Sequence, residues 1–350
     1  MIKLNLFKFK KKSVSMRNIA ISFLFIILLA CSATLPKKQN INGVSFVASR
    51  ESIDQSHVKP LLNIHANYAA VMPFAFIRDL SSPEVIYNTD RQWYGETKAG
   101  VIQYIEQLKN NNIKIMLKPQ IWIWRGEFTG NLEMHSEEDW KVLEDTYSKF
   151  ILEFAQVAEN TDSELFCIGT ELNRFVSRRP EYWIQLINEV RSVYKGKLTY
   201  AENWDSYNKV PFWDALDYIG VDAYFPLSEE RMPTEENLIK AWQPHKMKLE
   251  LLSKEINKQI LFTEYGYRSV DYTAKEPWNS SRNNEPVNLA AQSVALKVLY
   301  EQFWNEVWFA GGFLWKWYHD HDKGGGENNN RFTPQNKPAE SIVKTFYLNN

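Results

Sequence analysis

The chain of 350 residues predicts a single-domain α/β protein, a closed (β/α)8 or TIM barrel. Three observations carry this expectation. From Ile41 onward, eight short apolar runs alternate with longer stretches of helical spacing, with no low-complexity tract or Pro/Gly-rich linker between them. No glycine-rich phosphate loop follows the first run, where Gly43-Val44-Ser45-Phe46 stands, and this argues against an open doubly wound sheet. Two runs end in the same dipeptide, Thr170-Glu171 and Thr263-Glu264. Their glutamates lie 93 residues apart, which is three strand-helix units of about 31 residues.

The eight runs are Ile41–Ala48, Tyr68–Ile77, Ile113–Ile123, Leu165–Leu172, Lys197–Trp204, Asp217–Phe225, Gln259–Tyr267 and Phe309–Trp317. Between them, Thr97–Asn110, Ser136–Ala158, Pro180–Tyr194, Glu235–Ile256 and Pro286–Trp308 show the spacing of amphipathic helices, several opened by Ser, Thr or Pro. The link from the fifth run to the sixth is short, with Pro211–Leu216 as its only helical piece. Residues 41–350 are expected to form the (β/α)8 domain, and residues 31–40 a tether in front of it.

The first 30 residues read differently. Lys3, Lys8, Lys10, Lys11, Lys12 and Arg17 precede an apolar run from Ile19 to Ala30 broken only by Ser22. A run of 12 residues is too short for a membrane span of about 20 residues, and the order of charge then apolar core is that of a secretory signal. Met16 opens a more typical signal than Met1 does. The run ends in Leu28-Leu29-Ala30-Cys31, which resembles the bacterial lipobox. That resemblance implies a lipid on Cys31, which becomes the first residue of the mature chain. The competing reading is an ordinary signal or short anchor with an incidental cysteine. The expected location is the cell envelope, most simply the outer membrane facing the periplasm, since Ser32–Lys37 lacks an acidic export tract.

Removing residues 1–30 takes away six basic residues and no acidic ones, so the net charge moves from −1 to −7. No basic face for nucleic acid is left. Cys31 and Cys167 are the only cysteines, so no disulfide framework is available. Cys167 sits inside an apolar run without a neighbouring His or basic residue, and reads as a small buried side chain. Apolar residues at 44% and charged residues at 24% are ordinary for one sizeable core. The aromatic share of 14%, with 13 Trp and 17 Tyr, is high. At strand ends such residues suit stacking on sugar rings; elsewhere they make an aromatic core.

In a barrel the reacting groups sit at the C-terminal strand ends, so Glu171 and Glu264 are expected to face one mouth. A carboxylate at the end of a buried strand is costly unless paired, solvated or used, and two in matching contexts point to use. Glycosidic bond cleavage needs such a pair, one protonating the leaving oxygen and one across the anomeric carbon; the shorter of the two known separations retains configuration. Negative charge from Glu264 and an apolar wall would raise the pKa of Glu171 and keep it protonated. Tyr224 is placed to donate to Glu264, its alternative being a packed rim tyrosine.

Around the pair, Trp315 follows Gly311-Gly312-Phe313-Leu314 and is expected on the floor beside the cleaved bond, unless it is a core tryptophan. Trp122 and Trp124 alternate with Ile121 and Ile123 and so share one face; with Trp204 they are candidate sugar platforms. Lys118 and Gln120 are candidate polar lining. The stretch His319-Asp320-His321-Asp322-Lys323-Gly324-Gly325-Gly326-Glu327 matches no metal-site spacing, and its composition predicts a mobile loop over the mouth.

Gly169-Thr170-Glu171, Asp222-Ala223-Tyr224, Thr263-Glu264-Tyr265-Gly266-Tyr267 and Trp315-Lys316-Trp317 together resemble glycoside hydrolase family 113, over most of residues 41–346. Arg331–Ala339 resembles that family's lead into its last helix. The resemblance implies a retaining mechanism with Glu171 as acid/base and Glu264 as nucleophile, and the family's best known activity is endo-β-1,4-mannanase. Most of the wider clan has Asn before the acid/base; Thr170 stands there, as in family 113 itself. Asn203, at the end of the fifth run, is therefore the candidate contact for the sugar 2-hydroxyl. The expected function is hydrolysis of β-mannan or manno-oligosaccharides, with no cofactor and no metal. Its expected partners are the saccharide and, through Cys31, a membrane. The alternatives are a glycosidase of another β-linked glycan, a non-catalytic carbohydrate-binding lipoprotein and a structural envelope protein.

Overall fold

The computed structural model describes residues 40–280 and 285–350, so Cys31, the signal and nearly all of the tether lie outside the described residues. Ten strands run in chain order: β1 (Ile41–Val47), β2 (Tyr68–Val71), β3 (Phe74–Ile77), β4 (Lys114–Leu117), β5 (Gln120–Ile123), β6 (Leu165–Thr170), β7 (Lys197–Asn203), β8 (Tyr218–Asp222), β9 (Gln259–Tyr265) and β10 (Phe309–Tyr318). Eight of them close a barrel in the order β1-β10-β9-β8-β7-β6-β4-β2, every neighbour parallel. The protein is a (β/α)8 barrel, as its alternating runs predict.

Two runs differ from expectation. Tyr68–Ile77 and Ile113–Ile123 are each cut in two, at Pro73 and Pro119, which face one another in register because Val71 pairs with Leu117 and Phe74 with Gln120. Proline has no N–H to donate to the ladder, so matched prolines end the pairing in both strands at once. Pairing resumes immediately, with the Gln120 N–H donating to the Pro73 carbonyl at 2.9 Å. The second halves, β3 and β5, form their own two-stranded parallel sheet.

The helices are α1 (Gln55–Asn63), α2 (Lys98–Lys109), α3 (Glu137–Asn160), α4 (Asn173–Arg178), α5 (Pro180–Val193), α6 (Glu235–Ile256), α7 (Leu289–Phe303) and α8 (Pro338–Asn349). Their starts are chemically marked. Thr97, Ser136, Thr234 and Asn288 each accept a backbone N–H in the first turn of α2, α3, α6 and α7. The Asn288 cap explains why α7 opens at Leu289 and not at the predicted Pro286. Between β7 and β8 two 3-10 turns, Tyr207–Lys209 and Trp213–Ala215, replace a helix.

Apolar side chains occupy two layers. The larger joins strand residues such as Val44, Phe166, Leu198 and Phe262 to helix residues such as Leu143, Leu186, Leu249 and Leu296. The smaller, built from Ile41, Ala70, Met116, Leu165, Cys167, Ala201, Leu261, Ala310 and Phe313, draws on seven barrel strands and fills the interior. Closure between the first and last strands is tight. Gly311 lies at φ +112°, and a Cβ there would meet the Ile41 carbonyl at 2.3 Å, so no other residue fits. Below it, the Trp304 indole N–H donates to Asn42 Oδ1 (2.8 Å) and the Tyr347 hydroxyl to the Gly43 carbonyl (2.6 Å), tying α7, α8 and β1 together.

The stretch His319–Glu327 is packed down. Asn336 Nδ2 donates to the carbonyls of His321 (2.7 Å) and Gly324 (2.9 Å), the Gly326 N–H donates to the Gln335 carbonyl (2.9 Å), and the His321 ring meets Glu340 at 2.9 Å. The expectation of a mobile cover over the mouth is corrected by these bonds, which glycine and polar content alone could not reveal. Among the described residues no group of three or more His, Cys, Asp or Glu side chains could hold a metal ion.

Candidate active site

Both acidic strand ends are bent by an irregularity in their pairing. On β9, Val221 of β8 pairs with Phe262 while the next residue, Asp222, pairs with Glu264, so Thr263 is an extra residue. The same stretch is irregular against β10, where Gly312 pairs with Phe262 and Leu314 with Tyr265. On β6, Cys167 pairs with Thr199 and Thr170 with Ala201, three steps against two. Such bulges re-aim side chains at barrel rims. On β9 the result is that the consecutive side chains of Thr263 and Glu264 reach Asp222 on β8 and Tyr224 just beyond it. After β6 the chain leaves extended geometry, with Glu171 at φ +51°, a strained value for a side-chain-bearing residue. Three bonds hold that turn: the Glu171 N–H to the Ala201 carbonyl (2.8 Å), Thr129 Oγ1 to the Glu171 carbonyl (3.2 Å), and the Leu172 N–H to the Tyr200 hydroxyl (2.8 Å). Gly266 completes the frame, since a Cβ there would come within 2.4 Å of the Trp315 carbonyl.

Glu264 is surrounded by donors. Lys118 Nζ (2.6 Å) and Gln120 Nε2 (3.1 Å) donate to its Oε1, and the Tyr224 hydroxyl (2.9 Å) donates to its Oε2. Lys118 Nζ also lies 3.5 Å from Asp222 Oδ1, which accepts the Thr263 hydroxyl at 2.7 Å. The Lys118 and Asp222 side chains are fully buried. Burial pushes the Asp222 carboxyl up to about 7, with Lys118 opposing and Glu264 adding to the rise. Burial alone would lower the Lys118 ammonium, but Asp222 and Glu264 overcome it and hold it above its ordinary value.

Glu171 has the opposite surroundings. Burial, then the charges of Asp222 and Glu264, push its carboxyl well above the usual carboxylate range; Lys118 partly offsets them and Glu202 adds to them. Glu202, buried at the end of β7, is itself raised by burial, although the Asn203 N–H (2.9 Å), Ser206 Oγ (3.0 Å) and the Tyr200 hydroxyl (3.2 Å) all donate to it. The mouth thus holds one carboxyl whose surroundings favour its protonated form and a second that accepts from three donors, the complement of groups that acid and nucleophilic chemistry need together.

The pair opens on a cleft of about 840 Å³. Of the residues singled out in the sequence, Glu171, Glu264, Gln120, Trp122, Asn203, Trp204, Tyr224 and Trp315 line it. Lys118 does not: it lies beneath Glu264, out of reach of a bound sugar. Trp124 stands outside as well, 68% exposed, because strand alternation stops at Ile123 and Trp124–Gly126 form a 3-10 turn with Arg125 at φ +69°. The cleft gains aromatic residues that no strand pattern announces, Trp93, Phe128 and Trp278, all from loops. Trp278 stacks on Trp204 with ring centroids 5.3 Å apart and planes at 19°. Asp222 was visible only as part of a motif, although it is a carboxylate at a strand end like the other two.

A family model described as Glycoside Hydrolase Family 113 matches residues 48–337. The chain belongs to glycoside hydrolase family 113. Among solved structures it is similar to the GH113 β-mannanase from Alicyclobacillus acidocaldarius in complex with ManMIm, at 23% identity and a TM-score of 0.78, covering 89% of this chain and 98% of that one. It is also similar to a GH113 β-1,4-mannanase complex at 23% identity and a TM-score of 0.77, covering 89% and 100%. A Faecalibacterium prausnitzii β-glucuronidase shares the barrel at 14% identity and a TM-score of 0.61, over 89% of this chain and 49% of that one. No curated protein matches the chain. The family match makes this protein a glycoside hydrolase.

The raised Glu171 carboxyl has a stability consequence. Above the ordinary glutamate range the unfolded chain releases this proton while the folded protein keeps it, so rising pH favours the unfolded state until the folded group also ionises. Glu171→Gln removes that penalty. Urea unfolding of both proteins should show the variant gaining stability over the wild type as pH rises from about 4 to about 8. A difference independent of pH would contradict the raised carboxyl.

Proposed function

We propose that this hydrolase is a retaining β-glycosidase acting on β-1,4-mannan or manno-oligosaccharides, with Glu171 as acid/base and Glu264 as nucleophile. The observation that carries the reading is the contrast between the two carboxyls: Glu264 with three donors, Glu171 half-buried at the cleft and set among negative charge. In the first step a Glu264 oxygen attacks the anomeric carbon while Glu171 passes its proton to the leaving oxygen, and the glycosidic bond breaks. In the second step Glu171, now a carboxylate, takes a proton from water as the water oxygen displaces Glu264 and the ester bond breaks. Retention follows from the two inversions.

The side chains around the pair have matching tasks. Tyr224 and Gln120 fix the orientation of the Glu264 oxygens, and Trp315 offers an aromatic face to the flattened, positively charged transition state. Asn203, held with its Oδ1 accepting the Trp204 N–H at 2.9 Å, presents its amide as the contact for the 2-hydroxyl. Trp122 and the Trp204–Trp278 pair serve as platforms for neighbouring sugar units. Mannan as substrate rests on the similar structures, which are those of β-mannanases. The lipobox-like Leu28-Leu29-Ala30-Cys31 supports an anchor on the outer membrane, periplasm-facing. Among the described residues no helix is long and apolar enough to cross a membrane.

Incubation of residues 32–350 with β-mannan, β-glucan and β-xylan oligosaccharides should release products from the mannan member, and Glu171→Ala should lower that rate by about 10²–10⁴. Release only from another member would move the substrate to that glycan. No release from any member by folded protein would favour a carbohydrate-binding role. For the anchor, the wild-type protein should sediment with membranes and Cys31→Ser should appear in the soluble fraction; equal partition of the two would remove the lipid from the account.

A further inference from the structure

Lys118 presents a problem that the two-glutamate reaction leaves open. Its side chain is fully buried and its ammonium has two anionic neighbours, Glu264 Oε1 at 2.6 Å and Asp222 Oδ1 at 3.5 Å. A buried charge without a partner is strongly destabilising. Yet in the reaction proposed above, on which this inference rests, Glu264 becomes a neutral ester. The closer of the two partners of Lys118 is thus discharged in every catalytic cycle.

Asp222 has the geometry to take over. One of its oxygens is held by Thr263 at 2.7 Å, and the other, Oδ2, is buried with no partner among the described residues. It does not line the cleft and cannot meet the sugar. The other groups facing this cluster keep their charge state: Cys167 on β6 has its thiol pushed up to about 12 by burial, and the Tyr224 hydroxyl is raised well above its ordinary value by burial first. Glu202 on β7 is satisfied by its own three donors.

We infer that Asp222 and Lys118 form a positioning pair in which the ammonium is shared with Glu264 in the free enzyme and held by Asp222 alone in the glycosyl-enzyme. The charge count supports this. Before attack the negative charges are on Glu264 and Asp222; afterwards they are on Asp222 and Glu171, whose proton has gone to the leaving group. Asp222, whose carboxyl is pushed up to about 7 by burial, is once ionised the member common to both sets. It therefore acts on Glu171 without touching substrate, favouring the proton there, while Lys118 donates to Glu264 Oε1 at 2.6 Å. Removing Asp222 takes negative charge away from Glu171, and removing Lys118 takes positive charge away, so the two deletions act on Glu171 with opposite sign.

The test is a carbon-13 NMR titration of the Glu171 carboxyl in the full chain, assigned by the signal missing from Glu171→Gln. It requires no substrate, so an error in the proposed glycan does not affect it. The expected result is a wild-type midpoint above the ordinary carboxylate range, lowered in Asp222→Asn and raised in Lys118→Met. The alkaline limb of the pH–rate profile should move in the same two directions on whichever substrate is turned over. A merely structural pair would lower stability or rate without opposite movements of that midpoint. If Lys118→Met does not fold, Asp222→Asn still decides, since its amide oxygen can accept the Thr263 hydroxyl. A raised wild-type midpoint that Asp222→Asn leaves in place overturns this inference alone. A wild-type midpoint in the ordinary range overturns the acid/base assignment of Glu171 as well.

Discussion

A single buried ammonium sets the terms for the mouth of this barrel. Lys118 allows Asp222 and Glu264 to lie side by side in a region with little water, where two carboxylates alone would repel one another and take up protons. With that charge in place, Glu264 can be gripped by donors just after β4, at the start of β5 and just after β8. Glu171, reached less strongly by the ammonium than by Asp222 and by burial, is left on the protonated side. The contrast between the surroundings of the two glutamates thus depends on where one lysine sits, and burial shields that lysine from solvent and salt.

The backbone is organised to make this arrangement reachable. A regular barrel strand alternates its side chains inward and outward, which would send either Thr263 or Glu264 away from the interior. The extra residue in β9 removes that conflict, and the irregularity in β6 with the left-handed turn at Glu171 does the same on the opposite side. The paired prolines at 73 and 119 release the ends of two more strands as a small sheet, and that sheet becomes a wall of the cleft carrying Gln120 and Trp122. Departures from the ideal barrel are concentrated where chemistry requires them, while the helix-facing layer stays continuous.

This distribution explains what could be read in the sequence. Eight apolar runs and the repeated Thr-Glu ending were enough for the barrel and for the two carboxyls in one mouth, because hydrophobic period and strand-end position are local properties. Trp122 lines the cleft and Trp124 does not, for one reason: alternation places residues only while the strand lasts, and Arg125 at positive φ ends it. Lys118 was seen as polar and near the mouth, but its depth depends on how Pro119 bends the chain and on a carboxylate 146 residues away. Asp222 carried the same strand-end signal as Glu264 and could have been found by applying that rule to all eight runs. Trp93, Phe128 and Trp278 could not, since loops of no fixed period deliver them to the cleft. The helix α1 spans only Gln55–Asn63 and holds Pro60, a residue that in a sequence argues against a helix.

The central claim is that Glu264 becomes covalently bound to sugar while Glu171 does not. A mechanism-based 2-deoxy-2-fluoro glycosyl fluoride of the cleaved sugar, incubated with the protein, would trap such an ester, and digestion followed by mass spectrometry would locate it. The account predicts one label per chain, on the peptide containing Thr263-Glu264-Tyr265. A label on Glu171, on Asp222 or on any other carboxylate would contradict it, as would steady turnover of the reagent with no label at all.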